Sequence, residues 1–338
     1  MEFFVYLCCL VIFLTNLQHH TFMKTNKRRK RAKLIFNPVA GANQESPLRL
    51  MEVLKEMQAW QLLPEPYLTE PDSDLYEVVR DAIARGIRLF AVCGGDGTVS
   101  SVARAMIDTK ATLGIIPTGT QNNVAFSLGI PADISDAVSI LRTGKPLKAD
   151  MGMVACGKSI MPFLEICSVG LFSALFESGD DIQHGNIGRI GDFLATLTAA
   201  PPSEINILLD GAEQIISKGH VVLVSNMPFV GRHYQVGRKN SYNDGLLDVL
   251  FCTDISKLDL LLGYIMKAPG ISEQADPRIK NYHVRKITID ANPVMTVMAD
   301  GIILGDGPAH IEIRQHALTV MAPNSTGSLR KSGDDHEK

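Results

Sequence analysis

The six cysteines (Cys8, Cys9, Cys93, Cys156, Cys167, Cys252) include no Cys-x-x-Cys pair, and most lie in apolar runs where a thiol behaves as a small hydrophobe. That argues for a reducing, cytoplasmic setting. Nine histidines show no His-Glu-x-x-His or similar spacing, so no zinc site is expected. No apolar run reaches the roughly 20 residues that a spanning helix needs; the longest, Phe3 to Leu17, is too short and lacks the preceding positive charge of a signal peptide. Any membrane contact is therefore expected to be peripheral. Excess positive charge is lacking too, since a net charge of −3 gives no general affinity for nucleic acid. One local basic run, Lys27-Arg28-Arg29-Lys30-Arg31, is either solvated or a contact for anionic lipid headgroups. Met23, just before it, is the expected start of the chain.

What remains is a globular composition. With 338 residues, 46% hydrophobic and 20% charged, the chain is long enough for two domains with separate cores. Strand and helix patterns alternate from Arg31. Ala32 to Phe36 reads as a strand, Pro47 to Trp60 as a helix with apolar spacing at Leu50, Val53, Leu54 and Met57, and Asp74 to Arg85 as a helix closed by Gly86. The strand Ile87 to Val92, the helix Val99 to Ile107 and the strand Leu113 to Ile116 follow. Such alternation implies a parallel sheet, whose ligands bind beyond the carboxyl ends of the strands. From about Lys145 short strand-like runs take over: 163–166, 205–209, 221–224, 247–251 and 286–289, with helical interludes at 192–199 and 257–266. Their turn-rich spacing suggests an antiparallel sandwich. A leader at 1–30, an α/β domain at 31–148, a sandwich domain at 149–314, a returning strand at 315–324 and a disordered tail at 325–338 complete the expected organisation.

Three strand ends carry turn chemistry. Asn37-Pro38-Val39-Ala40-Gly41 follows the first strand, Gly94-Gly95-Asp96-Gly97-Thr98 the third, and Thr118-Gly119-Thr120-Gln121-Asn122-Asn123 the fourth. Glycines let a backbone turn tightly and approach a ligand, and amides at a helix start suit phosphate oxygens. The middle loop is neither a P-loop, lacking its Lys-Ser/Thr, nor a G-x-G-x-x-G turn. By itself it reads as an anion cradle or as an ordinary glycine-rich bend.

Together with Asn243-Asp244-Gly245-Leu246-Leu247-Asp248-Val249 and Ala299-Asp300-Gly301, these segments resemble, in one order over residues 31 to 323, the bacterial diacylglycerol kinase-like lipid kinases. The resemblance implies an N-terminal three-layer α/β/α nucleotide-binding domain, a C-terminal β-sandwich, an interdomain cleft holding ATP, and a last strand near Ala317 to Met321 that returns to the first domain. It implies transfer of the γ-phosphoryl group of ATP, with Mg2+, to a lipid hydroxyl at the membrane surface, and leaves open whether the chain forms a homodimer. Nucleotide contacts fall by position on Asn37, Pro38, Val39, Ala40, Gly41, Thr69, Gly95, Asp96, Gly97, Thr98, Val99, Ser100, Ser101 and Thr120. Asp96 would hold the metal or a water on it, and Thr98 would cap the helix. Asp300 occupies the general-base position, where the plain reading is a loop-forming Asp-Gly. Asp244, with the carbonyls of Ser241 and Leu246, would hold a structural Mg2+; an Asp-Gly hairpin turn is the equal alternative. Ser101 stands where the family has glutamate, Asn123 where many members have aspartate, and Ile302 in place of the glutamate that follows Asp-Gly. These departures leave a soluble-substrate kinase and a nucleotide-binding regulatory protein as alternatives. The apolar run Leu171 to Phe176 would serve as an acyl contact or as a buried helix.

Overall fold

In the computed structural model, which describes residues 29–41, 46–170, 202–229, 235–238, 241–253 and 278–324, the first half alternates strand and helix. The readings that concern residues 1–28, 171–176, 192–199, 257–266 and 325–338 lie outside the described residues. The order is β1 (Lys30–Phe36), α1 (Ser46–Ala59), β2 (Leu62–Leu68), α2 (Leu75–Ala84), β3 (Leu89–Gly94), α3 (Asp96–Met106), β4 (Thr112–Pro117), α4 (Asn123–Ser127) and α5 (Ile134–Thr143). Strands β2, β1, β3 and β4 lie side by side, all parallel. Every residue of β3 is buried, as a central parallel strand covered on both faces must be. The covering helices pair as α1 with α5 and α2 with α3. Asp74 and Asp133 cap α2 and α5 by accepting from the amides of Glu77 and Asp136.

The second half is antiparallel. It comprises β5 (Lys145–Cys156), β6 (Ser159–Phe163), β7 (Ile166–Gly170), β8 (Ser203–Leu209), β9 (Glu213–Ser225), β10 (Leu247–Thr253), β11 (Ile279–Val284), β12 (Lys286–Asn292), β13 (Thr296–Ala299), β14 (Ile302–Asp306) and β15 (Ala309–Ala322). These strands enclose a second core built on Phe163, Ile205, Val249, Phe251 and Ile289, separate from the first core around Leu34, Phe36, Phe90 and Leu113. In β8 buried and exposed residues alternate, as the period of two demands of a strand with one wet face.

One strand joins the halves. Up to Arg314, β15 pairs with residues 151–156 of β5 and with β12; from Leu318 it pairs with residues 145–149 of β5 and, in parallel, with β4 at Val320 and Leu113. The register jumps between Arg314 and Leu318, where His316 has φ +55°. Fully buried Asp150 sits at this jump and accepts from the amides of His316 (2.7 Å) and Gly245 (2.8 Å), supplying acceptors that the broken ladder does not.

Two local expectations change. Residues 163–166 are not one strand but a corner between β6 and β7, because the amides of residues 164–166 face a carboxylate rather than a neighbouring strand. The helix after the glycine loop begins at Asp96, three residues before Val99, so the loop is itself the first helical turn.

Candidate active site

The three bends at the ends of β1, β3 and β4 touch. Asn37 donates from its amide nitrogen to Thr98 Oγ1 at 3.0 Å and from its backbone to Cys93 O, while Thr118 N donates to Gly94 O. Contact is close enough to require glycine. A Cβ on Gly119 would lie 2.4 Å from Gly95 Cα, and one on Gly41 would lie 2.6 Å from Thr118 O. Asn122, at φ +55°, ties the last bend by accepting from Gly119 N and donating to Gly119 O.

This convergence leaves the start of α3 open. Its N-cap is Gly95, which has no side chain to bond the first amides, and Thr98, placed inside the first turn, turns back to Asn37 instead of capping. The N-terminal amides and the positive end of the helix suit an anion. Val99 N is already spent on Gly95 O, and Val99 and Ser100 are buried, whereas the amides at the very start of the helix have no helical partner. Ser101 donates to Gly97 O and accepts from Arg104 Nη2. Around the cradle Val39 and Thr120 are exposed, Ala40 is buried beneath the first bend, and Asn37, Pro38 and Gly41 are half-buried. Thr69, half-buried, is fixed at the end of β2 by its amide bond to Phe36 O.

Asp96 points across to the next helix. Its two oxygens accept from the amides of Asn123 and Val124, each at 3.0 Å, so it caps α4 as well as opening α3. Burial raises its pKa, against the pull of those amides, and the charge of Asp300 raises it further.

Asp300 is held from the other half. Its φ of +43° and the +78° of Gly301 form the tight turn between β13 and β14, as Asp-Gly suits. Leu164 N donates to Oδ2 at 2.7 Å, and Glu165 N and Ile166 N donate to Oδ1 at 2.9 and 3.1 Å. Oδ2 faces Arg104 Nη1 at 3.6 Å. Three backbone amides, with the Arg104 guanidinium at ion-pair distance, fix the carboxylate's direction. Glu165, in the same corner, is buried and accepts from Asn123 Nδ2 at 2.7 Å. Its pKa is pushed well above the ordinary glutamate range, first by burial and then by the charges of Asp96 and Asp300.

Glu165 and Arg104 were not singled out in the sequence. A lone glutamate inside the apolar run 163–166 and a lone arginine among the small residues of α3 were the available signals. Asn123 now has a physical role: its amide donates to Glu165, where an aspartate would bring another carboxylate to Asp96, Glu165 and Asp300.

Ser241, Asp244 and Leu246 lie elsewhere, in the 241–246 turn of the sandwich half. Asp244 Oδ1 accepts from Leu246 N and Oδ2 from Arg238 Nη2, both at 2.9 Å. Ser241 is buried and its Oγ has no hydrogen-bond partner. Magnesium demands a near-octahedral set of oxygens, and a guanidinium on the same carboxylate repels it, so these residues as they stand do not fit the ion. Among the described residues no group of three His, Cys, Asp or Glu side chains is placed to hold a metal, and no helix is long and apolar enough to cross a membrane.

Residues 31–154 match the family described as the diacylglycerol kinase catalytic domain, and residues 190–322 match the YegS C-terminal NAD kinase beta sandwich-like domain. A diacylglycerol kinase of Bacillus subtilis is 25% identical over 309 residues, covering 89% of this chain and 99% of its own. One of Mycobacterium tuberculosis is 28% identical over 258 residues, covering 74% and 82%. The crystal structure of a diacylglycerol kinase from Bacillus anthracis superposes with a TM-score of 0.68 at 22% identity, over 88% of this chain and 98% of that one. The last likeness is one of fold.

Proposed function

Because this chain belongs to the family that joins a diacylglycerol kinase catalytic domain to a NAD kinase-like β-sandwich, we propose that it is an ATP-dependent lipid kinase. It moves the γ-phosphoryl group of ATP, taken up with Mg2+, to the hydroxyl of a lipid such as diacylglycerol. One observation carries this reading: the uncapped start of α3 and the oriented carboxylate of Asp300 come from different halves of the chain and meet around Asp96 and Arg104.

Gly95 to Thr98 bind the phosphates through backbone amides, with Asn37 and Gly41 closing one side and Thr120 the other. Magnesium accompanying the triphosphate supplies charge neutralisation. The remaining acceptor direction of Asp300 Oδ2 takes the proton of the lipid hydroxyl as its oxygen attacks the γ-phosphorus, and ADP leaves. Ile302 and Ile303, 41% and 47% exposed directly after the Asp300 turn, favour an acceptor that brings apolar surface. A peripheral membrane approach suits such an acceptor.

The test is incubation of the purified protein with labelled ATP, Mg2+ and a total lipid extract. A chloroform-soluble labelled product is expected. Label confined to the aqueous phase would transfer the reading to a soluble acceptor, and ATP binding without transfer would make the protein a nucleotide-binding regulator.

A further inference from the structure

Three carboxylates surround the Asp244-Gly245 turn. Asp150 is spent on the amides of Gly245 and His316. Asp248, whose side chain is 3% exposed, accepts at Oδ2 from Arg238 N at 3.0 Å and at Oδ1 from Arg238 Nε at 3.2 Å. His283 Nδ1 lies 2.6 Å from the same Oδ1. Asp244 meets the other end of the guanidinium, Nη2, at 2.9 Å. A single planar cation thus spans two carboxylates, one in the turn and one in the strand that follows it.

The backbone is shaped to bring it there. A Cβ on Gly237 would stand 2.4 Å from Asp248 Oδ2 and 2.9 Å from Ser241 Oγ, so only glycine lets the chain lie this close to the buried carboxylate. Burial and the charges of Asp248 and Asp150 raise the pKa of Asp244, while Arg238 and the Leu246 amide oppose them. Without the guanidinium, Asp244 would face the charges of Asp248 and Asp150 with only the Leu246 amide to oppose them. A guanidinium meets this need by direct hydrogen bonds in a fixed fork, whereas a magnesium ion would need further oxygens that Arg238 obstructs.

We propose that Arg238 is the resident cation of the Asp244 turn, standing where a divalent metal would otherwise sit, so that the sandwich half holds its shape without metal.

Thermal unfolding of the nucleotide-free full chain tests this independently of any kinase activity. The wild type is expected to unfold at the same temperature in EDTA and in millimolar MgCl2 or CaCl2. Arg238→Ala should unfold several degrees lower in EDTA and recover in millimolar magnesium or calcium, and adding Asp244→Asn should abolish that recovery. Arg238→Lys, which keeps the charge without the fork, should fall between the two and ignore the metals. A metal-dependent rise in the wild type that Asp244→Asn removes would overturn the proposal. So would an Arg238→Ala protein as stable as the wild type, or one whose loss neither cation repairs. Should Arg238→Ala not fold in EDTA, folding restored by calcium supports the assignment, and folding not restored overturns it.

Discussion

Arg104 Nη1 stands 3.6 Å from Asp300 Oδ2, with the two side chains only 15% and 2% exposed, so α3 of the nucleotide half and the β13–β14 turn of the sandwich half are joined by a nearly dry ion pair. Arg104 Nη1 is buried and has no hydrogen-bond partner, which makes the carboxylate its main compensation. The charge of Asp300 in turn raises the pKa of two further carboxyl groups, Asp96 and Glu165.

Arg104→Met should therefore destabilise the protein, by up to about 3 kcal/mol, because it leaves Asp300 buried without a counter-charge. Arg104→Lys should restore much of the loss. Urea unfolding of both variants checks this, and equal stability of Arg104→Met and wild type would refute it.

Asp300→Asn should lower turnover by roughly 10²- to 10⁴-fold while leaving ATP affinity near the wild-type level, as removal of a general base does. The structure adds a second effect. An asparagine oxygen can accept from Glu165 N and Ile166 N, but its NH2 then confronts Leu164 N, so a stability loss of about 1–3 kcal/mol should accompany the slower rate. Calorimetric ATP binding alongside the Tm separates the two; a normal rate would remove Asp300 from the chemistry.

Glu165→Gln should change how stability depends on pH. The folded state holds the Glu165 proton more tightly than the unfolded chain, whose value lies near 4.5. The contribution of this group is thus fully favourable below that value and is lost as pH rises toward the folded one. Glutamine carries no proton to lose and still accepts from Asn123 Nδ2. Its Tm advantage over wild type should grow as pH rises above about 4.5. Parallel Tm curves over that range would contradict the placement of Glu165 among like charges.

Glycines in the cradle should separate into two kinds. Gly119→Ala forces a Cβ to 2.4 Å from Gly95 Cα, so both stability and ATP binding should fall. A Cβ on Gly97 meets nothing within 4 Å, so Gly97→Ala should keep its Tm and weaken ATP alone, by occupying the space reserved for phosphate. Titration with ATP and thermal unfolding of each variant decide this; unimpaired ATP binding by Gly97→Ala would place the phosphates elsewhere.

Much of this architecture was legible in advance because it rests on local rules. Parallel strands between amphipathic helices show as alternating periodicities, and Gly86 shows as a helix stop, whereas the caps at Asp74 and Asp133 became visible only in the fold. The Asp300-Gly301 turn is a two-residue signal. The corner at 164–166 was not legible: Phe163, Leu164 and Ile166 have the composition of a strand, and only the arrival of Asp300 from more than 130 residues away turns their amides from a ladder into a cradle. The extent of α3 was misjudged for a related reason, since a glycine loop and the first turn of a helix look alike until a neighbouring bend fixes them.

The sequence by itself determined most of the parallel strands and their covering helices, and the glycine bends at three strand ends, because hydrophobic period and glycines act over a few residues. Only the tertiary structure decided which charges meet. Whether Asp96, Glu165, Asp300 and Arg104 share one site, and whether Asp244 faces a metal or Arg238, depends on contacts across the chain, and burial gives those contacts their energy.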